Sequence, residues 1–478
     1  MSTQSCYDFA RPISRREALQ KFGVGFGATA LSGLFGALAN AQSATVAAHA
    51  PVANLLGPQA ARIPAKAKRV IFLFMHGGPS AVDSFDYKPA LEKADGQTAP
   101  KLPKVTFAAA NGREGSKLWK SPWKFAPRGQ SGHMVSELFP HLGELVDEMC
   151  FLHSCHGTAP DHGAALLKMN TGTEAFVRPS MGSWMLYGLG SENENLPGFI
   201  TICPTEKHGG VRNYGSAFLP AQFQGTALGN ENTKARDARF KFLGAPNDAT
   251  QRRELDFLRE LNAPTVGDSE MDARIATYEM AFKMQMAAPE VLDLSEESKA
   301  TRDLYGLDNS ATADFATQCL LARRLAEAGV RFIQVSTGFK WDQHGGLVRG
   351  HTDNARMVDQ PCAALLRDLK QRGLLDDTLV LWGGEFGRTP TREGGDGRDH
   401  NPHGYTMWLA GGGTKPGQVG ATDELGYFAV ENKIHLHDLH ATLLALMGLD
   451  HEKLTYRYAG RDFRLTDVEG RVVREVFI

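Results

Sequence analysis

The sequence predicts an α/β protein: a mostly parallel central sheet with helices on both faces and a closing antiparallel hairpin at the C-terminus. Three observations carry that expectation. Continuous apolar runs such as RVIFLFM, from Arg69 to Met75, have the pattern of strands buried on both sides of a parallel sheet. Segments with helical periodicity lie between these runs. From Leu454 onward, LTYRYAGRDFRLTDVEGRVVREVFI alternates polar and apolar residues around the turn signals Ala459-Gly460 and Glu469-Gly470.

In chain order, Arg15 and Arg16 precede a mildly apolar, Gly- and Ala-rich run from Phe22 to Ala41 and resemble a twin-arginine export signal. Cleavage is expected after Ala41, which makes residues 1–41 the signal and places the mature chain in the periplasm or outside the cell. With few large aliphatics the run is a poor membrane anchor, so the mature protein is expected to have no transmembrane span. Residues 42–66 are Ala- and Pro-rich and read as a tether, and 67–478 as the folded domain. After the first strand, further strands are expected at Met149–Leu152, Gly198–Cys203, Arg331–Ser336, Thr378–Trp382 and Tyr405–Ala410. Helices are expected at Met181–Gly188, Arg252–Leu261, Met271–Met286, Ala313–Ala328, Asn354–Arg372 and His437–Met447, with an insertion around 205–300.

The 478 residues are 42% hydrophobic and 22% charged, an ordinary composition for a folded protein. Lys and Arg number 52 against 54 Asp and Glu, a net charge of -2, so no basic excess points to nucleic acid. Sixteen histidines stand against six cysteines. Cysteine spacing fits buried free thiols, with a Cys150–Cys155 disulfide as the alternative.

The histidines gather where ligands bind in open α/β sheets, beyond the carboxyl ends of strands. His76, Asp83 and Asp86 follow the first strand in HGGPSAVDSFD, and His153, His156, Thr158, Asp161 and His162 follow the second. Asp342 and His344 lie in WDQHGG, Glu385 and Arg388 in GGEFGRTP, and Asp399, His400 and His403 in GRDHNPHG. Any one group has an ordinary explanation as a helix cap or a backbone-bonded imidazole. Four strand ends delivering imidazole and carboxylate to one sheet edge point instead to a divalent metal centre of one or two ions. Zn or Mn suits such donors best, with Ca the alternative.

HGGPSAVDSFD, RPSMGSW, WDQHGG, GEFGRTP, GRDHNPHG and HDLHATLLALMGLDHEKLTYRYAGRDFRLTD together resemble a bacterial family of uncharacterised exported proteins in the alkaline-phosphatase-like, sulfatase-like superfamily. The likeness runs from about residue 69 to the C-terminus. It implies an alkaline-phosphatase-like fold and a metal site formed by Asp342, His344 and His400. A second site would use Glu385 with a residue after the first strand, where the superfamily has Asp and this chain has His76, then Asp83. A sulfatase-like nucleophile pattern laid on TAPDHGAALLKMNTG puts Thr158 at the nucleophile, Asp161 and His162 at the following polar positions. No Cys or Ser stands there for conversion to formylglycine.

Several residues keep two readings. Thr158 is a nucleophile or a turn residue, and Arg388 clamps a substrate oxyanion or pairs structurally with Glu385. His403 contacts metal or substrate, or neither, and His437, Asp438 and His440 either support the ligands from behind or pack at a helix start. The implied function is an exported metal-dependent hydrolase of a phosphate or sulfate ester. Its substrate would be a small anionic ester or a sulfated or phosphorylated glycan. The alternative is a non-catalytic, metal-containing binding protein of the same fold in the cell envelope.

Overall fold

The computed structural model describes residues 56–100, 116–241, 248–262 and 269–478; the expected export signal lies outside them. Nine strands form one sheet: β1 (Arg69–Phe74), β2 (Met149–His156), β3 (Phe199–Ile202), β4 (Thr226–Leu228), β5 (Phe332–Ser336), β6 (Thr378–Gly383), β7 (Tyr405–Ala410), β8 (Gly417–Val419) and β9 (Ile434–His435). Their order is β8-β2-β7-β6-β1-β5-β3-β4, with β9 also paired to β2. β1 sits centrally and runs parallel to both neighbours, Val70 aligning with Phe332 on β5 and with Leu379 on β6. β7 is antiparallel to β6 and β2, so β2 regains the common direction and β7 alone opposes it.

That polarity fixes the location of the chemistry. β1, β2, β3, β5 and β6 all end at one edge, and β7, running backwards, begins there. The residues before β7, including His400, therefore reach the same edge as those that follow the parallel strands.

β1 is wholly buried because both its faces are covered. Ile71, Leu73 and Met75 pack into one core cluster, while Val70, Phe72 and Phe74 pack into another on the opposite side. Removing each such side chain from water contributes about 1.5–3 kcal/mol, which favours a two-sided sheet. Besides a short helix at Pro89–Lys93, the helices are α1 (His162–Thr171), α2 (Met181–Leu189), α3 (Asp248–Asn262), α4 (Ser269–Leu292), α5 (Lys299–Tyr305), α6 (Ala313–Glu327), α7 (Leu347–Gln371) and α8 (Leu436–Leu446) among the described residues. α6 and α7 supply Leu320 and Leu365 to the first cluster, and α2 and α8 supply Trp184 and Leu443 to the second. The expected fold class is thus present, including the hairpin of β10 (Tyr456–Tyr458) and β11 (Arg461–Phe463). Its turn has Ala459 and Gly460 at φ 45° and 84°, the backbone a two-residue hairpin with right-handed twist favours.

Several boundaries differ from expectation, α3 and α4 being longer than expected at both ends. β2 continues to His156 because β7 pairs beside it and β8 and β9 complete its other edge. His153 is consequently a buried strand residue bonded to Thr406 (3.0 Å), not a loop residue. α7 starts at Leu347, ahead of the apolar periodicity, behind Gly346 in the left-handed conformation. Residues 205–300 contain α3 and α4, joined by Arg252–Glu279 (2.6 Å). From Gln59 to Ala67 the chain bonds through its backbone to Leu189, Gly448 and Leu446. All five described cysteines are free and buried, and no helix among the described residues is long and apolar enough to cross a membrane.

Candidate metal centre

After β1 the chain passes through His76 into Gly77 and Gly78 at φ 115° and 85°, backbone that side chains rarely tolerate. A Cβ on Gly77 would lie 2.6 Å from the Asp342 nitrogen, so its absence lets the loops after β1 and β5 pack backbone to backbone. The Gly77 N–H donates to both Glu385 oxygens at 3.0 and 3.2 Å, tying the loop after β6 to the same point.

Asp342 is the hub. Its Oδ1 lies 3.1 Å from His344 Nε2, 3.1 Å from His400 Nε2 and 3.3 Å from His162 Nε2. The two Nε2 atoms of His344 and His400 are only 2.9 Å apart. Each ring is oriented from behind: His344 Nδ1 bonds to Glu393 at 2.6 Å and His400 Nδ1 donates to the Pro160 carbonyl at 2.6 Å. With Nδ1 carrying the proton, a neutral ring presents an Nε2 lone pair. Nε2 of His344 and Nε2 of His400 face each other and a carboxylate, an arrangement that a proton on one ring or a metal ion between them holds together. Donor atoms about 3.3 Å apart also suit a tetrahedral ion with bonds of about 2.0 Å. The residues therefore fit a divalent metal.

A second donor group adjoins the first. His162 opens α1, placed by Asp161, whose side chain caps the helix through the Ala164 N–H at 3.0 Å. His162 Nδ1 bonds to Glu385 Oε1 at 2.7 Å, and His76 Nε2 lies 4.0 Å from the same oxygen. His162 thus stands between the Glu385–His76 group and the Asp342–His344–His400 group. Imidazole paired with carboxylate suits Zn or Mn at both.

Electrostatics match this geometry. Burial pushes His76 down to about 4 and lowers His400, leaving both neutral and able to ligate at neutral pH. Burial opposes ionisation of Asp342, but hydrogen bonds from His162, His344 and His400 and the charge of Arg388 outweigh it and hold the carboxyl far below its ordinary range. His344 is raised to about 9, mainly by its bond to Asp342, so its Nε2 carries a proton that a metal ion would displace on binding. Its side chain is 41% exposed, so the cluster opens to solvent on that side.

The structure brings His76, His162, Asp342, His344, Glu385 and His400 together. Asp83 is elsewhere: its carboxylate accepts from Arg398 Nε at 2.7 Å and from Ser80 Oγ at 2.5 Å, in a fully buried pair. Arg388 bonds to the carbonyls of Gly77, Gly78 and Arg398 and pairs with Asp342 (2.7 Å), not with Glu385. Thr158 is exposed on the loop before α1 and donates its hydroxyl to Glu174. His403 packs against Tyr427 and Phe428. His437 and His440 bond to the carbonyls of Gly172 and Met169 at the end of α1, and Asp438 caps α8 through the His435 N–H.

His208 and Glu393 join the site beyond the residues named from the sequence, and Asp399, named there with His400, lies at its edge. His208 Nδ1 lies 3.3 Å from His76 Nε2 and its ring stacks on His162. Asp399 Oδ1 lies 4.0 Å from His344 Nδ1. A signal for His208 was present: His208-Gly209-Gly210 follows β3 as His76-Gly77-Gly78 follows β1, and His344-Gly345-Gly346 follows β5. Glu393 had none, being an acid in a Gly-rich loop.

Fold and site together define an α/β protein with a cluster of candidate metal donors at the carboxyl edge of its sheet. The chain belongs to the family described as "Protein of unknown function (DUF1501)", which matches residues 67–477, in keeping with the expected uncharacterised family. No curated protein matches it. Among solved structures it is similar to the lipoteichoic acid synthase LtaP from Listeria monocytogenes, with 10% identity over 87% of this chain and 79% of that one, TM-score 0.37. It is also similar to the PsFucS1 sulfatase from Pseudoalteromonas sp., with 12% identity, 81% and 68% covered, TM-score 0.37. Alkaline phosphatase from the Antarctic bacterium TAB5 is 9% identical, with 80% and 98% covered and a TM-score of 0.31.

Proposed function

We propose that this protein is an alkaline-phosphatase-like hydrolase that cleaves a phosphate or sulfate ester with one or two divalent ions held by Asp342, His344, His400, His162, Glu385 and His76. The observation that carries this reading is the convergence of Nε2 of His344, His400 and His162 on Asp342 Oδ1, beside a second group at Glu385. Bound there, a divalent metal would polarise the ester and neutralise charge on its oxygens. We further propose export by the twin-arginine route, with the protein acting in the periplasm or outside the cell.

Thr158 is the nucleophile in this reading and Glu174, which accepts a hydrogen bond from its hydroxyl, is the base. Thr158 Oγ1 bonds to phosphorus or sulfur as the bond to the substrate alcohol breaks, and the proton passes through Glu174 to the departing alcohol. Water then cleaves the threonine ester, restoring the hydroxyl and releasing phosphate or sulfate. Arg388, saturated by backbone carbonyls and Asp342, positions Asp342 and the Gly77–Gly78 turn.

The test is hydrolysis of an aryl phosphate and an aryl sulfate by Zn- or Mn-loaded protein. The reading expects turnover that is lost in His344→Ala and falls by about a hundredfold or more in Thr158→Ala. Turnover that survives Thr158→Ala would reassign the nucleophile to water. Metal bound without turnover of either ester would favour the binding protein of the same fold.

A further inference from the structure

His435, His437 and Glu469 form another donor group, apart from those around Asp342 and Glu385. β9 ends at His435, which is also the N-cap of α8, so the two imidazoles flank one bend of the chain with ring centroids 5.0 Å apart. Glu469 arrives from the segment after the C-terminal hairpin. Its neighbours bring it in: a Cβ on Gly470, at φ 100°, would lie 3.0 Å from the His437 carbonyl oxygen, and the Arg471 N–H donates to Asp438 at 2.7 Å.

The hydrogen bonds around these rings fix where their lone pairs point. His437 Nε2 lies 2.7 Å from the Gly172 carbonyl, which can only accept, so Nε2 carries the proton. In the neutral ring Nδ1 is then a lone pair, and it faces Glu469 Oε2 at 2.8 Å. His435 Nδ1 accepts from the His437 N–H at 3.3 Å, a long bond, and presents its lone pair 3.5 Å from the same carboxylate oxygen. Burial, with His437 and Lys168 beside it, pushes His435 down to about 4, so this ring is neutral at neutral pH.

Three acceptor atoms therefore lie within 4.8 Å of one another. A proton on His437 would serve one pair of them; an ion serves all three. Separations of 2.8 and 3.5 Å from Glu469 Oε2 bracket the spacing of about 3.3 Å between donors on a tetrahedral ion with bonds of about 2.0 Å. His437 and Glu469 also line a solvent-open cleft of about 380 Å³, which gives an ion its entry and leaves a fourth position for water.

We propose that His435, His437 and Glu469 bind a divalent ion of the zinc class at a site of its own, which fastens the segment from Leu465 to Glu469 to the start of α8. Two imidazoles and one carboxylate suit Zn²⁺ better than Mg²⁺ or Ca²⁺. The site is independent of the proposed hydrolysis: His437 bonds to Gly172 just past the end of α1, whereas His162 opens that helix about 15 Å away. With the Glu469 side chain 58% exposed and three protein ligands only, the ion exchanges freely and dialysis against metal-free buffer removes it.

Calorimetric titration of Zn²⁺ into the folded double variant Asp342→Asn/Glu385→Gln, which lacks the carboxylates of the other groups, tests this. One equivalent is expected to bind in the micromolar range, and the melting temperature to rise with free Zn²⁺, as it must when an ion binds only the native state. In the same background, His435→Asn, which keeps a capping side chain, and Glu469→Gln, at an exposed position, should each weaken that binding by about tenfold or more. Absence of Zn²⁺ binding to the folded double variant, or binding that neither further substitution weakens, would overturn the inference.

Discussion

Gly77 is where three loops of the site meet, and its conformation makes a sharp prediction. Replacing it with Ala puts a methyl 2.6 Å from the Asp342 backbone in a conformation, φ 115°, that side chains avoid. Gly77→Ala should cost about 1–3 kcal/mol of stability, and because the displaced backbone carries Asp342, metal affinity should fall with it. A variant as stable and as metal-avid as the parent in urea unfolding and equilibrium dialysis would refute this. Asp83 is a structural carboxylate, apart from the candidate metal donors. Removing it strands the fully buried Arg398 guanidinium, so Asp83→Ala should destabilise by about 3–5 kcal/mol. Folded Asp83→Ala protein should still bind metal, whereas an intact melting temperature with lost metal would return Asp83 to the site. Sequence position alone offered both His76 and Asp83 after β1. What distinguishes them is the turn through Gly77 and Gly78, which leaves His76 beside Glu385 and carries Asp83 to Arg398.

Among the elements, α1 links the site to the rest of the fold. His162 at its start faces Asp342 and Glu385, while His437 and His440 on α8 hold its last turn by bonds of 2.7 Å to Gly172 and Met169. Burial, with the neighbouring His437, pushes His440 down to about 3, below the ordinary value of 6.5. The unfolded chain therefore takes up the proton first as pH falls. The contribution of neutral His440 is complete above about pH 6.5 and is lost progressively toward pH 3, at up to about 1.4 kcal/mol per pH unit. His440→Gln keeps a donor but cannot titrate, so its urea midpoint should depend less steeply on pH between 5 and 7 than that of the parent. Parallel slopes would contradict this account of the α1–α8 contact. The sequence had placed His437 and His440 on one face of a late helix; that this face meets the end of α1 depends on tertiary packing, which periodicity does not encode.

For the whole molecule, the parallel sheet was legible because strands buried on both faces are largely apolar, as Val70 to Phe74 of β1 and Leu379 to Trp382 of β6 are. An expectation of donor groups at strand ends followed from that polarity, and Asp342, His344, Glu385 and His400 lie close together there. His400 is the instructive member, since it precedes a strand: only the reversed direction of β7 brings it to the same edge. His208 was passed over because a left-handed loop residue, φ 49°, leaves no periodic trace, although its Gly-Gly context repeats that of His76 and His344. Metal binding at this edge is the property on which the proposed hydrolysis depends. Protein dialysed against Zn²⁺ or Mn²⁺ and then against metal-free buffer should retain one or two equivalents by elemental analysis, and the folded double variant Asp342→Asn/Glu385→Gln none. A parent protein that retains no metal, or a double variant that retains as much as the parent, would contradict it.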